Sequence, residues 1–492
     1  MKPTDNLHQL VHSLTSSEKR YFKVHASRHV VGKQNKYEQL YDIYDSLPAD
    51  HYDDAELKLK LKKKGLGKNL ADDKKNLQEM IMKAMLAFHS GNSIDTQLND
   101  LLAEEDFYRQ KRLNDLRRKT IAKAKELAEK YEKYTTLLTL IDREINMKVE
   151  INQDELADLA ENLDKEKSVV LDKLNTIAVL RNTNQWFFIN FRLNANNLSE
   201  KFWKGAEEKL NNPIVRDYKP GLCFTADSNF FKVWSLYYQM KRDYINHDIY
   251  SKNIYELFET KYPLQKENDR LGYKIALYNK MTSLHQIKDY KAMGELLGIA
   301  SAIKSRTEDE EGEDFQNIIF YRQIFYMNTG QFDKAIEMVP EIESGLKKFQ
   351  KKVNKARELS ICIKITIVYF ITEDWGNVIK YSEKIITNGS EVRIDIKYNA
   401  MLYQLVSYFE INQLDLLSNY LRNTERLLKK HNLMEEETAL IIGLLYKVLK
   451  HGDTYFKSHK TDIELIVNQL HKKVEIGFWL KSRVERIPMT AL

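Results

Sequence analysis

The stretch NTGQFDKAIEMV, residues 328–339, combines a turn signal with the start of an amphipathic helix. Thr329 and Gly330 are turn residues, Phe332 follows as a large apolar anchor, and Ala335 lies on the same helical face. The order of turn, anchor and apolar residue three positions later recurs, with anchors 42, 43 and 39 residues apart. The four pairs are Tyr290 with Met293, Phe332 with Ala335, Trp375 with Val378, and Leu414 with Leu417.

A tyrosine stands six residues before three of these four anchors, and a leucine stands there in the first unit. A weaker unit precedes them, with Tyr244 six residues before Tyr250, but Asn253 breaks its pattern. Near-regular spacing of this kind is typical of helical hairpins that stack because none can bury its apolar face alone. The sequence therefore predicts an all-α fold, an α-solenoid of stacked antiparallel helix pairs that follows a small N-terminal helical bundle. The residues six before the anchors are Leu284, Tyr326, Tyr369 and Tyr408.

These units resemble tetratricopeptide repeats, in which Gly330, Phe332, Ala335 and Tyr326 match the turn, the anchor, the small residue and the tyrosine of the first helix. The resemblance covers about residues 240–425. It departs from the family in its longer spacing, in the large residues at three of the four small positions, and in Pro340, which predicts a shortened or kinked second helix. The phrases LTSSEKRYFK and KYEQLYDIYD are similar to the start of an uncharacterised group of helical-repeat proteins from Bacteroidota, a resemblance that implies no activity.

Helix-breaking and turn residues along the chain predict three regions: a basic helical bundle over 1–90, a long-helix region over 91–215, and the repeats with C-terminal capping helices over 216–492. Thr15 and Glu18 predict a capping box, and Gly65 predicts a left-handed stop after a lysine-rich helix. The middle region has neither Gly nor Pro between residues 92 and 204, and we expect its helices to break at polar clusters such as RNTNQ, residues 181–185. Whether this region continues the solenoid stays open.

Composition limits the classes of function. Lys and Arg total 77 against 71 Asp and Glu, so the net charge of +6 demands no polyanionic partner. The apolar runs are too short to cross a bilayer, and the start of the chain lacks the apolar run of a signal peptide, so we expect a cytoplasmic protein. Cys223 and Cys362 are far apart, which suggests neither a disulfide nor a thiolate metal site.

If the first helix of each pair lines the inner wall, as the resemblance implies, the residues 5, 8 and 12 before each anchor face that wall. Past the first unit these positions are apolar, and they lack the Lys, Arg and Asn with which relatives of this kind hold a peptide carboxylate. Something must cover such a stripe: a partner protein, an amphipathic peptide, a second subunit, or the chain's own segment 461–484 with Ile463, Ile466, Leu470 and Val474. The candidate partner-binding residues are Tyr278, Phe320, Ile324, Met327, Ile363, Ile367, Phe370, Leu402, Val406 and Phe409.

The N-terminal bundle is the alternative binding region, because it carries 16 Lys and Arg against 12 Asp and Glu. A basic helix interleaved with Tyr21 and Phe22 suits a phosphate backbone, although both rings also suit the core of a small bundle. The alternative function is a regulator whose bundle binds nucleic acid while the repeats sense a peptide or protein ligand. The candidate nucleic-acid residues are Lys19, Arg20, Lys23, Arg28, Lys62, Lys63 and Lys64.

The sequence motifs for metal, phosphate and calcium binding are all incomplete. His8 and His12 have the spacing of two metal ligands on one helix face, but a third ligand is missing. The stretch GLGKN (65–69) lacks the first Gly and the Ser or Thr of a phosphate loop, and TEDEEGEDF (307–315) suits a solvated loop better than a calcium site. We therefore expect no cofactor, no metal and no catalysis. The favoured function is a non-enzymatic interaction scaffold or adaptor whose apolar groove holds a helix, its own or a partner's; its oligomeric state stays open.

Overall fold

A computed structural model describes residues 5–27, 36–49, 51–89, 93–146, 153–194, 198–350, 352–388 and 393–492. Every regular element in these ranges is helical and none is a strand. Helices that follow each other along the chain pack against each other, so the predicted fold class, an all-α solenoid of helix pairs after an N-terminal bundle, is confirmed. No helix among the described residues is both long enough and apolar enough to cross a membrane. The chain packs as two compact units, unit 1 (Met1–Val179) and unit 2 (Leu180–Leu492).

Unit 1 begins with a five-helix bundle whose core contains Phe22, Tyr41 and Leu77, all fully buried. The predicted capping box is present, because the Glu18 carboxylate accepts from the Thr15 backbone N–H at 2.7 Å. Gly65 takes the predicted left-handed conformation with φ of 68°. The helices are α1 (Asn6–Ser13), α2 (Ser16–Ser27), α3 (Lys36–Asp45), α4 (Asp54–Lys63), α5 (Leu70–Phe88), α6 (Ile94–Lys111), α7 (Asn114–Lys130), α8 (Tyr134–Ile145) and the first part of α9 (Gln153–Asn194).

Unit 2 consists of helices that alternate in direction across short connections. Its first-of-pair helices α12, α15, α17, α20 and α22 are followed by the second helices α13, α16, α18 with α19, α21 and α23. The ranges are α10 (Glu200–Leu210), α11 (Pro213–Arg216), α12 (Phe224–Lys241), α13 (Tyr244–Glu256), α14 (Gln265–Asn268), α15 (Arg270–Gln286), α16 (Tyr290–Ala302), α17 (Glu308–Asn328), α18 (Phe332–Glu337), α19 (Val339–Lys348), α20 (Lys355–Ile371), α21 (Trp375–Asn388), α22 (Ile394–Glu410), α23 (Leu414–Lys430), α24 (Glu436–His451), α25 (Thr454–Ser458), α26 (Lys460–Gln469) and α27 (Val474–Glu485).

The same turn joins the two helices of every pair. Each anchor is the first residue of the second helix, and the residue two before it is left-handed, with φ between 57° and 68°. The backbone N–H directly before the anchor donates to the carbonyl of the residue six before it, at 2.8 to 3.0 Å, as in a Schellman motif. The left-handed residues are Arg242, Lys288, Gly330, Glu373 and Asn412.

This turn extends the repeat pattern toward the N-terminus. The anchor of the weaker unit is Tyr244 rather than Tyr250, because Tyr244 is the first residue of α13, and Tyr238 lies six residues before it. In unit 1 the turn from α6 to α7 is of the same type, since Arg112 has φ of 58° and the Leu113 N–H donates to the Tyr108 carbonyl at 3.0 Å. The residues three after the five anchors are all buried, which accounts for their apolar pattern: His247, Met293, Ala335, Val378 and Leu417.

Of three predictions about where helices break or end, one is confirmed and two are wrong. Pro340 divides the second helix as expected, because α18 ends at Glu337 and α19 begins at Val339. The break at RNTNQ is wrong, since α9 runs through residues 181–185 and buries Thr183. The loop at 307–315 is also wrong: Thr307 caps α17 and the acidic residues fill its first turn, where the helix dipole favours negative charge.

Candidate functional site

The C-terminal half of the predicted wall lies in the core of unit 2. Five of its six residues are at most 9% exposed, and the sixth, Ile367, is half-buried. All six join one hydrophobic cluster with Trp479 and Leu480 of α27, so the chain itself covers this half of the wall. The buried five are Ile363, Phe370, Leu402, Val406 and Phe409.

Helix α27 holds this position through an aromatic anchor and polar contacts around it. The Trp479 ring lies edge-on to Phe409 and Phe456, at 6.2 and 5.7 Å between centroids, and its indole N–H donates to Glu410 at 2.6 Å. The Tyr403 hydroxyl donates to Glu475 at 3.1 Å. This is how an amphipathic helix sits in a groove, with a buried ring and a polar rim.

The sequence only partly locates this cover. Ile463 and Leu470 of the segment 461–484 are buried and Ile466 is half-buried, but Val474 is 43% exposed. The segment forms two helices, α26 and α27, with the break after Gln469. Trp479 is therefore the anchor, a residue that an aliphatic spacing pattern does not single out.

The N-terminal half of the predicted wall stays partly open. Ile324 is buried in a second core, while Tyr278, Phe320 and Met327 are half-buried. The Tyr278 ring stacks on Tyr321 at 5.8 Å, and its hydroxyl donates to Asp314 at 3.3 Å. Binding of a partner by any residue of the predicted wall stays a prediction.

Phe320 lies between two cations of α20. The Arg357 guanidinium is 4.1 Å from the centre of the Phe320 ring, and the Lys364 ammonium is 5.0 Å from it. Burial lowers the pKa of Lys364 to about 8; Glu475 opposes this effect, whereas Arg357 and Arg393 add to it. We call Phe320, Arg357 and Lys364 the cationic patch.

A cavity of about 470 Å³ opens beside this patch, and we call it the basic pocket. Single faces of α9, α12 and α15 form much of its wall, because their lining residues are spaced by three and four, and residues of α13, α17 and α20 complete it. Two cations, Lys232 and Arg357, line it, and no carboxylate does among the described residues. The complete lining is Asn184, Phe188, Phe191, Lys232, Ser235, Leu236, Gln239, His247, Ile254, Ile275, Asn279, Thr282, Tyr321 and Arg357.

Lys232 and Arg357 differ from Lys274, a buried lysine of unit 2. Both are half-buried, and within the described ranges neither side chain makes an ion pair or a hydrogen bond; burial lowers the pKa of both, and Asp269 opposes this effect at Lys232. By contrast, the Lys274 ammonium lies 2.6 Å from both Glu310 and Asp314. Although burial raises the pKa of Glu310, its bonds to Lys274 and its other donors bring that pKa down to about 2.

The positions of these residues relative to the anchors explain why the sequence pattern misses the cations of this region. The predicted wall uses positions 5, 8 and 12 before each anchor, whereas Asn279, Tyr321 and Lys364 stand 11 before theirs. One residue turns the side chain by about 100° around a helix, so this row is adjacent to the predicted one. Lys232 stands 12 before Tyr244, a wall position that is missed when Tyr250 is taken as the anchor of that unit, and Arg357 stands 18 before Trp375, nearly two helical turns before the predicted positions begin.

In two other cavities, carboxylates of the chain pair with cations of the lining. One of about 620 Å³ lies beside α27, where Arg483 bonds both Glu410 and Asp453. One of about 850 Å³ in unit 1 adjoins Arg117, whose Nε donates to the buried Glu105 at 2.5 Å. These networks need no ligand to neutralise them.

The candidate nucleic-acid residues occupy two helices of the bundle. Lys19 and Lys23 of α2 pair with Asp45 at 2.5 Å and Asp42 at 2.8 Å. Lys62, Lys63 and Lys64 are exposed at the end of α4, Arg20 is exposed, and Arg28 lies outside the described residues. Phe22 is fully buried and packs on Tyr41 at 4.6 Å, while Tyr21 packs on Phe88, so both rings belong to the bundle core.

The candidate metal ligands have structural partners. His8 Nε2 lies 3.0 Å from the Pro48 carbonyl, and His12 Nε2 lies 3.1 Å from the Tyr44 carbonyl. In the part of the chain that the structure describes, no group of three or more His, Cys, Asp or Glu is arranged to hold a metal ion. The chain matches no protein-family model, no curated protein and no solved structure.

Proposed function

We propose that this protein is a non-enzymatic interaction scaffold whose inner wall in unit 2 is divided in two. The apolar half holds the chain's own helix α27. The half around Phe320 receives a segment of a partner protein or an amphipathic peptide. The observation that carries the proposal is the cationic patch: an aromatic ring, half-buried and flanked by two cations that pair with no carboxylate of the described chain.

The chemistry of the patch indicates the kind of partner. An apolar side chain would cover the open part of the Phe320 ring, and acidic side chains on the same face would neutralise Arg357 and Lys364. An amphipathic helix with Asp or Glu beside its apolar stripe combines both features. The packing of α27 on the adjacent half supports this mode, because that wall accepts a helix with one buried ring.

A capture experiment with matched variants tests the proposal. Tagged wild-type protein, Phe320→Ser and Lys252→Met would be compared in extracts of the native host. Lys252 is an exposed lysine of α13 that pairs with Glu256 on its own helix. Its replacement therefore removes a positive charge that does not belong to the patch. We expect a protein to be retained by the wild type and by Lys252→Met but not by Phe320→Ser, with far-UV circular dichroism unchanged. Retention that is equal for all three would contradict the proposal.

The finer identity of the repeats belongs to the same proposal. The shared turn, with its tyrosine or leucine six residues before the anchor, supports repeats of tetratricopeptide type, and the phrases near the N-terminus support an origin in Bacteroidota. A cytoplasmic location accords with two buried cysteines that form no disulfide within the described residues. Fractionation of host cells would test the location.

The alternative, a regulator with a nucleic-acid-binding bundle, has less support. Two of its seven candidate residues are already paired with Asp, Phe22 is buried, and Tyr21 is half-buried against Phe88. Lys62, Lys63 and Lys64 remain as an exposed cluster. Fluorescence anisotropy with duplex DNA at low salt would decide, since phosphate contacts strengthen steeply as salt falls.

A further inference from the structure

The basic pocket concentrates positive charge in a concave space. Its lining includes Lys232 from α12 and Arg357 from α20, whereas Asp and Glu are missing from the lining residues that the structure describes. Both side chains are half-buried, and a cation that loses water without a paired carboxylate is destabilised; Asp269 attracts Lys232, but burial outweighs that attraction. Such a pair is explained when a ligand supplies the missing charge.

We infer that the basic pocket is a binding site for a small phosphate monoester with an apolar or aromatic body. This site is separate from the partner surface of the proposed function, because Lys232 lines the pocket without belonging to the cationic patch. Arg357 belongs to both. The inference is therefore tested by substitution of Lys232 and by ligand binding to the isolated protein.

Charge matching favours a phosphate monoester over a single carboxylate. A phosphate monoester carries a charge of about −1.5 to −2 at neutral pH, which two cations balance, whereas one carboxylate would leave a positive charge over. His247 adds no third cation: burial lowers its pKa, and its Nδ1 lies 3.0 Å from the Ser235 carbonyl. Arginine can bind two phosphate oxygens at once, while lysine acts as a point charge.

The remaining lining suits the rest of such a ligand. The amides of Asn279 and Gln239 can donate further hydrogen bonds, since neither side chain is engaged with another described residue. Phe188 and Ile275 stand about half exposed, at 48% and 45%, and provide an apolar surface for the body of the ligand. A cavity of about 470 Å³ falls within the usual size of small-molecule sites, about 300 to 1,000 Å³.

Calorimetric titration of the full-length protein tests this inference with defined probes. The probes are phenyl phosphate, inorganic phosphate, phenylacetate and a short phosphotyrosine peptide. We expect saturable binding of phenyl phosphate, at least tenfold weaker binding of phenylacetate, and weaker binding of inorganic phosphate, which lacks the apolar body. A free small molecule as the ligand predicts that phenyl phosphate binds more tightly than the peptide, and the reverse order would overturn that assignment.

Two lysine variants locate the binding. Lys232→Met should weaken phenyl phosphate at least tenfold, Lys232→Arg should retain most of the affinity, and the control Lys252→Met should leave it unchanged. The arginine variant keeps the test decisive if the methionine variant fails to fold. Absence of saturable binding by both phosphate probes, or binding that is the same in Lys232→Met, would overturn the inference. Because the partner-capture experiment uses Phe320→Ser in extracts, failure of one proposal does not imply failure of the other.

Discussion

Replacement of Lys364 by methionine should stabilise unit 2 at neutral pH, and the gain should shrink as the pH rises. Lys364 belongs to the cationic patch, and burial lowers its pKa from 10.5 to about 8. Methionine has a similar length, keeps an apolar contact with Phe320 and carries no charge. The native state therefore disfavours the protonated amine, and the variant removes that cost.

The sign and size follow from linkage. A lysine with a lowered native pKa binds fewer protons in the native state than in the unfolded state between pH 8 and 10.5, so stability rises with pH in that window. The cost is fully present below pH 8 and disappears above 10.5. A difference of about 2.5 pH units corresponds to roughly 3 kcal/mol as an upper limit. Because Lys364 is only half-buried, solvent screening reduces this to about 1 to 2 kcal/mol.

Urea unfolding followed by tryptophan fluorescence suits this measurement, since all five tryptophans lie in unit 2. The stability difference between Lys364→Met and the wild type should fall by about half between pH 7 and pH 9.5. Lys380→Met is the matched control, because Lys380 also lies over a ring, 5.0 Å from that of Tyr381, but is exposed. A difference that is constant with pH, or that appears equally in the control, would refute the reasoning.

Two further substitutions test the turns and the charge network of unit 1. Gly330→Ala should lower the free energy of unfolding in urea by about 1 to 2 kcal/mol, because the backbone φ at this residue is 68°. An added Cβ meets no atom within 4 Å, so the effect comes from the backbone alone. Gly330→Asn should lower the free energy of unfolding less, and equal losses in the two variants would contradict this reasoning. Glu105→Ala should cost about 3 to 5 kcal/mol in unfolding followed by circular dichroism, since Arg117 is then buried without its carboxylate. Adding Arg117→Met should recover part of that loss, and no recovery would show that the pair is not the cause.

The repeat architecture is predictable from sequence because its turn constrains residues that are close together in the chain. An anchor, an apolar residue three positions later and a tyrosine six positions earlier all belong to one Schellman-type turn and its two flanking helices. The acidic start of α17 shows the limit of such patterns. Residues 308–314 look like a loop in composition, but Thr307 caps them as a helix, and Asp314 is buried against Lys274. That partner is 40 residues away, so no local signal reveals it.

The apolar positions of the predicted wall and the cations beside them differ in what they imply. A stripe of Phe, Leu and Val is satisfied by any apolar cover, and α27 of the same chain provides it through Trp479. An unpaired cation is not satisfied in that way, because burying it costs free energy that packing does not return. Folding alone therefore explains the apolar stripe, whereas an anion from outside the chain would neutralise Lys232 and Arg357. For this reason the charge of the basic pocket, more than the apolar length of the wall, supports the proposed ligand site.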